Sequence, residues 1–170
     1  MADFVLPAWL VEDIARCDDL CRQIIACAIA VHDALGPGLL ESIYRDCLVM
    51  ELRLAGLKVE CEVRVPIYYR GKLIRDHLRL DLLVEGIIVV EVKSADRIHA
   101  VHLSQVITYL KLADKPAGLL LNFNSSTLKA GLRRLNHPAV HARRNHAEGL
   151  PSHHVEGQPP HHAAGQQTRG

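Results

Sequence analysis

The amino-acid sequence predicts an α/β chain of the α+β kind, a central mixed sheet flanked by helices, and three observations lead there. Apolar residues recur at helical spacing through two consecutive stretches before residue 56. From Lys58 the period changes to two, and three strand-like segments follow with turn chemistry between them. Finally, a helical stretch ending near Ala113 leads into the aliphatic run Ala117 to Phe123. Such a β-α-β crossover is right-handed and lays the last strand parallel to its neighbour.

Residues 1–20 read as an N-terminal arm: Phe4, Leu6, Trp9, Leu10 and Ile14 fit one face of a short helix or a loosely docked segment. Asp18-Asp19 are placed to cap the next helix, in which Cys21, Ile24, Ile25, Ala28, Ile29, Val31, His32 and Leu35 recur at helical spacing until Gly36-Pro37-Gly38 ends it. A second helix is expected from about Leu39 to Ala55. Glu41 falls on its first turn, where the helix dipole favours a carboxylate, and Tyr44 follows on the same face, positioned to hydrogen-bond Glu41 or to pack. Val59 to Ile67 alternate with polar residues as a half-exposed strand, with Pro66 suited to an edge. Tyr68 to Lys72 turn the chain, Leu73 to Val84 return it, and Ile87 to Lys93 complete an antiparallel meander. After the helix from about His99 to Ala113, Lys115-Pro116 break the chain before the buried strand. Thr127 to Leu135 give a last strand or helix, interrupted by Gly131, with Arg133 and Arg134 as phosphate contacts or solvated charges. The domain therefore spans 21–135. Residues 136–170 hold seven of the eleven histidines and four of the eight prolines; this tail buries too little to offset its ordering entropy and is expected to be disordered.

The chemistry concentrates in Arg79 to Ser94, RLDLLVEGIIVVEVKS, where Asp81, Glu91 and Lys93 interrupt two aliphatic runs. Alternation along a strand puts Glu91 and Lys93 on one face and Val92 on the other. A three-residue loop, Glu85-Gly86-Ile87 with Val84 opposite Ile88, would set Asp81 directly across from Glu91. Two facing carboxylates repel unless something positive lies between them. A divalent cation fits, and oxygen-only ligands suit Mg²⁺ or Mn²⁺. The competing account, a solvated second face, loses ground because both runs are nearly continuous in aliphatics, as in strands covered on both sides. His99 and His102, at i and i+3, are read as surface or phosphate-facing residues in preference to zinc ligands.

The order Asp, hairpin, Glu-x-Lys resembles the PD-(D/E)XK nuclease superfamily. Upstream, Gly38 to Tyr44 reads G-x-x-E-x-x-Y after His32, Leu35, Gly36 and Pro37. With Tyr69-Arg70-Gly71, Gln105, Tyr109-Leu110 and Asn122-Phe123, the pattern resembles the GxxExxY protein family, a branch of that superfamily, over about residues 20 to 135. The resemblance implies a restriction-endonuclease-like α-β-β-β-α-β core and a metal-dependent nuclease acting on DNA or RNA. It implies Glu41, Asp81, Glu91 and the Val92 carbonyl as ligands of Mg²⁺ or Mn²⁺, and Asp81, Glu91, Lys93 and Gln105 as the catalytic set. Lys93 would orient the attacking water, and Gln105 would position the metal water or the scissile phosphate. Where a family glycine is expected after Asn122-Phe123 stands Asn124, which tolerates a left-handed backbone.

Composition sets the remaining bounds. In 170 residues, 49% hydrophobic content is ample for one packed core, and with aromatics at 4% aliphatic side chains must fill it. The formal charge of +1 comes from the tail, so the body is neutral, which argues against tight nonspecific binding of duplexes through a long-range field. The absence of a long apolar run and of a basic leader points to a cytoplasmic protein without a membrane anchor. Cys17, Cys21, Cys27, Cys47 and Cys61 form no C-x-x-C pair and read as reduced thiols. The alternative to a nuclease is a non-catalytic nucleic-acid or protein binding module on the same fold, favoured by the neutral body and the scarcity of stacking aromatics. The oligomeric state is left open, a homodimer included.

Overall fold

A computed structural model describes residues 9–140. In chain order the elements are α1 (Trp9–Leu35), α2 (Glu41–Leu54), β1 (Val59–Tyr69), β2 (Lys72–Val84), β3 (Ile88–Lys93), α3 (Ala100–Ala113), β4 (Ala117–Asn122) and β5 (Leu132–Asn136). The strands form one five-stranded sheet in the order β1-β2-β3-β4-β5. Pairing is antiparallel except between β3 and β4, which run parallel as the crossover through α3 requires. This is the mixed α+β architecture that the sequence predicts. No helix among the described residues is long and apolar enough to cross a membrane.

The two faces of the sheet carry separate cores. α1 and α2 lie on one, where Ile24, Ala28, Tyr44, Leu48 and Leu52 pack on Leu82, Ile88, Val90, Val92, Leu119 and Leu121. On the other, α3 sets Val106, Tyr109 and Leu110 against Leu83, Val89 and Leu120. Side chains of β3 therefore alternate between two dry layers, which is why its sequence is nearly all aliphatic. β1 and β5 are the edge strands, and the β1–β2 ladder shifts register at Pro66, the residue that lacks a donor, and again after Ile67.

Two elements differ from expectation. No arm ends at residue 20; α1 runs unbroken through it. Asp18 and Asp19 do not cap a new helix, because Asp19 accepts hydrogen bonds from Arg22 and Gln23 within the helix and Asp18 pairs with Arg134 of β5 at 2.6 Å. Cys17 and Leu20 extend the buried stripe of Cys21, Ile24 and Ala28. At the other end, β5 settles the strand-or-helix alternative as a strand and continues to Asn136, and Ala139 is buried. The expected tail is thus packed over its first residues; from residue 141 it falls outside the described residues.

Gly131 is required where β5 begins. Its carbonyl accepts the Asn122 N–H at 2.9 Å, and a Cβ there would run into the Asn122 carbonyl and the Ser125 side chain. Gly131→Ala should therefore destabilise the fold by about 1–3 kcal/mol, the usual range for overpacking, read as a lowered urea midpoint. A midpoint unchanged within error would show that the turn from residue 123 to 131 yields freely.

Candidate active site

The site forms where β2 and β3 part. Val84 pairs with Ile88, Leu83 with Val89 and Leu82 with Val90, around the three-residue loop in which Glu85 and Gly86 take positive φ. Glu85 holds this turn by accepting the Lys58 N–H at 2.6 Å and the Arg16 guanidinium at 3.1 Å. The ladder ends at Leu82 and Val90, one step short of Asp81 and Glu91. There the Asp81 carboxylate takes over from the backbone: its Oδ2 accepts the Val92 N–H at 2.9 Å. β2 also rotates at this point, since Leu80 packs in the α3 layer and Leu82 in the α1/α2 layer, although regular alternation would place them together. The opposed residue of β1, Glu62, has φ of 52°.

Glu91 shares the parity of Val89 and lies on the α3 face, with 3% of its side chain exposed. Lys93, two residues on, donates to Glu91 Oε1 at 2.6 Å, and its ammonium stands 3.9 Å from Glu41. Glu41 comes from the first turn of a helix in the opposite layer, and four contacts bring it there. Tyr44 stacks on Phe123 at 4.7 Å; its hydroxyl donates to the Gly36 carbonyl at 2.6 Å and accepts the Leu39 N–H at 3.0 Å. Ser94, directly after β3, donates to the Leu39 carbonyl at 2.6 Å. Tyr44 thus serves the loop before α2, instead of hydrogen-bonding Glu41.

The end of β3 is fixed from β4. Asn122, fully buried, accepts the Ala95 N–H and donates to the Ala95 carbonyl, both at 2.9 Å, while the Phe123 N–H donates to the Lys93 carbonyl at 2.8 Å. Asn122, Ser94 and the backbone role of Tyr44 were not foreseen as supports of the site. The signal available was a lone asparagine closing the aliphatic run AGLLLN, since a buried amide must find partners. His32 is buried beside Phe123 and hydrogen-bonded to the Ser125 carbonyl at 2.9 Å.

Other expectations land elsewhere. Gln105 donates to the Tyr109 hydroxyl at 2.7 Å, along its own helix. His102 accepts the His99 N–H at 3.2 Å and so caps α3. Asn124 is not among the described residues with positive φ, so the turn there is made without the left-handed backbone expected of it. Arg134 is bound to Asp18, and the exposed Arg133 donates to the Ala130 and Leu132 carbonyls. None of the five cysteines is in a disulfide.

Burial and the neighbouring Asp81 carboxylate push the Glu91 carboxyl up to about 7, against the lowering effect of Lys93. Burial acts to lower Lys93, but the carboxylates of Glu91, Glu41 and Asp81 outweigh it and hold the ammonium above its ordinary range. Among the described residues no three acidic, histidine or cysteine side chains stand gathered as a ready metal-binding group; Lys93 occupies the middle of the acidic set. The donors nevertheless fit a hard cation. They are all oxygens, and Glu91 Oε2 is buried with no hydrogen-bond partner, an acceptor left over after Lys93 has satisfied its twin.

An α+β sheet with an Asp, Glu-x-Lys set at a strand divergence, approached by a helix glutamate, defines a nuclease-type domain. A profile of the PD-(D/E)XK nuclease superfamily matches residues 18–135, and the chain belongs to that superfamily. No curated protein and no solved structure matches.

The raised Glu91 carboxyl fixes a pH dependence. Its folded value, about 7, exceeds the ordinary 4.5, so the folded protein holds this proton more tightly than the unfolded chain. Its contribution to stability is complete below about pH 4.5 and is lost as pH rises through 7. In the absence of divalent cations the melting temperature should fall across that window, and Glu91→Gln should flatten the fall. An identical slope in both proteins would show that Glu91 titrates normally.

Proposed function

We propose that the chain is a metal-dependent nuclease of the GxxExxY branch, hydrolysing phosphodiester bonds of nucleic acid. The observation that carries this reading is the unpartnered, buried Glu91 Oε2 beside Asp81, at the one place where the β2–β3 ladder opens. A fold gains nothing from burying an acceptor without a donor, whereas a cation-binding site needs one.

Glu41, Asp81, Glu91 and the Val92 carbonyl would hold Mg²⁺ or Mn²⁺. When bound, the cation supplies Lewis-acid stabilisation of the charge that develops on the phosphate. Lys93 would orient the attacking water and neutralise negative charge on the phosphate, its ammonium already placed between two of the carboxylates. Asp81, through the Val92 N–H, holds the strand end that carries Lys93. Gln105, half-buried on the helix that covers this face, would turn from Tyr109 to the phosphate. A raised Lys93 pKa keeps it cationic at neutral pH, so it acts here as a charge and a donor, not as a base.

Two variants separate ligation from chemistry. Asp81→Asn keeps an acceptor for the Val92 N–H while removing one of the two repelling charges, so it should leave the metal-free fold as stable or more so, yet weaken Mn²⁺ binding and abolish cleavage. Lys93→Ala should retain Mn²⁺ binding while cleavage falls by about 10²–10³-fold, the typical loss for one preorganised electrostatic group. Calorimetric titration with Mn²⁺ beside an assay on labelled DNA and RNA reads both. Cleavage unchanged in both variants would replace this reading with a binding module.

A further inference from the structure

β1 and β2 extend well past the body of the sheet. Their ladder reaches Tyr69 and Lys72, whereas β2 pairs with β3 only over Leu82 to Val84. The near half of this two-stranded ribbon is anchored, because Val63, Val65, Leu78 and Leu80 pack in the α3 layer. Beyond it the sequence IYYRGKLIR, residues 67–75, emerges into solvent. Tyr68, Tyr69, Leu73 and Ile74 are each more than half exposed, and Arg70, Lys72 and Arg75 are exposed as well.

The tip closes in a tight turn. Arg70 and Gly71 take φ of 48° and 73°, the positive pair of a tight two-residue hairpin turn. Tyr69 lies across from Lys72 and shares its face, while Tyr68 and Leu73, also opposed, share the other; beyond a register shift Ile67 lies across from Arg75. Arg70 stands over the Tyr69 ring at 5.5 Å. Three of the chain's twenty basic residues and none of its nineteen acids fall in residues 67–75, so the rest of the chain is two charges acidic. The tip is thus a short basic strip, bounded by Asp76, on a chain that is otherwise slightly acidic.

Resting on the nuclease reading, we infer that the ribbon tip enters the major groove of duplex DNA, with Lys72, Arg75 and Arg70 on phosphates and Tyr69 against the groove edge. A B-form major groove, about 12 Å wide, admits a two-stranded ribbon, whereas the deep, narrow major groove of A-form RNA does not. The ribbon leaves the sheet at the end where the acidic site opens, since β2 runs from Lys72 to Asp81 before meeting β3. Nine residues of strand span at most about 30 Å, slightly less than one helical turn of DNA, about 34 Å. The ribbon would therefore grip the duplex up to one turn from the phosphate at the acidic site, which fixes a polarity and a reach for the substrate.

The test measures binding in EDTA, where no cleavage interferes, using the full chain, a 30-base-pair DNA duplex, the same sequence as duplex RNA, and fluorescence anisotropy across a salt series. Lys72→Gln/Arg75→Gln leaves the left-handed turn intact and touches only exposed side chains; its melting temperature should match that of the parent. Expected are a roughly ten- to hundredfold loss of DNA affinity and a reduction of the salt slope by about 2, since each phosphate contact contributes about 0.9. Tyr69→Ala should weaken DNA binding without changing that slope. Affinity unchanged within twofold, or an equal loss on duplex RNA, would overturn the groove assignment, as would a variant that alters only self-association in sedimentation. Parent protein that binds DNA as expected but never cleaves with Mn²⁺ would sink the nuclease reading alone; a double variant that binds and cleaves normally would sink the ribbon alone.

Discussion

A carboxylate with 3% of its surface exposed, beside a second carboxylate, is held in the sheet by one ammonium 2.6 Å away. Much of the chain's irregularity serves that placement. The β2–β3 ladder stops before Asp81, the Val92 N–H goes to a side chain, and the strand end is tied down by Asn122 and Ser94. Burial in a low dielectric makes the Glu91–Lys93 pair strong but also expensive, because both groups leave water. Only Oε1 of Glu91 is compensated. The remaining oxygen is buried without a hydrogen-bond partner.

The two halves of the site are brought together by different physics. Glu91 and Lys93 are placed by alternation along β3, and Asp81 by the Glu85-Gly86-Ile87 hairpin together with its hydrogen bond to the Val92 N–H. Glu41 belongs to another layer and depends on tertiary contacts: Tyr44 against Phe123, its hydroxyl on the Gly36 and Leu39 backbone, and Ser94 on Leu39. Tyr44 and Glu41 sit three residues apart because one turn of helix separates the group that anchors the loop from the group that enters the site. This gives the G-x-x-E-x-x-Y spacing a mechanical reason that does not require the tyrosine to touch the glutamate.

The ribbon and the site answer different demands on one strand. From Asp81 to Val84, β2 is buried and its sequence is aliphatic apart from the aspartate; from Lys72 to Arg75 it is exposed, basic and apolar together. The change of packing at Asp81 separates these halves. Three cations without an acid at the tip of a projecting ribbon, on a body that is otherwise acidic, would meet a polyanion through a local contact, with little help from a long-range field.

The sequence by itself determined what depends on near neighbours. The helix and strand order follows from the change of period; the sequence tied Asp81 facing Glu91 to an odd loop, and the fold supplied it, with Val84 opposite Ile88. The edge position of β1 was legible in Pro66, and the parallel placement of β4 in the crossover through α3. Tertiary structure alone decided what depends on groups distant in the chain. Asp18-Asp19 look like a cap until Arg134 arrives from β5, so α1 runs on where a break was expected. Tyr44 has several partners of the right chemistry, and only the folded loop selects Gly36 and Leu39. Gln105 is a free amide in the sequence, and the helix turns it towards Tyr109. A pattern specifies which face a residue occupies; which hydrogen-bond partner it finds there is set by the packing of elements that the pattern does not relate.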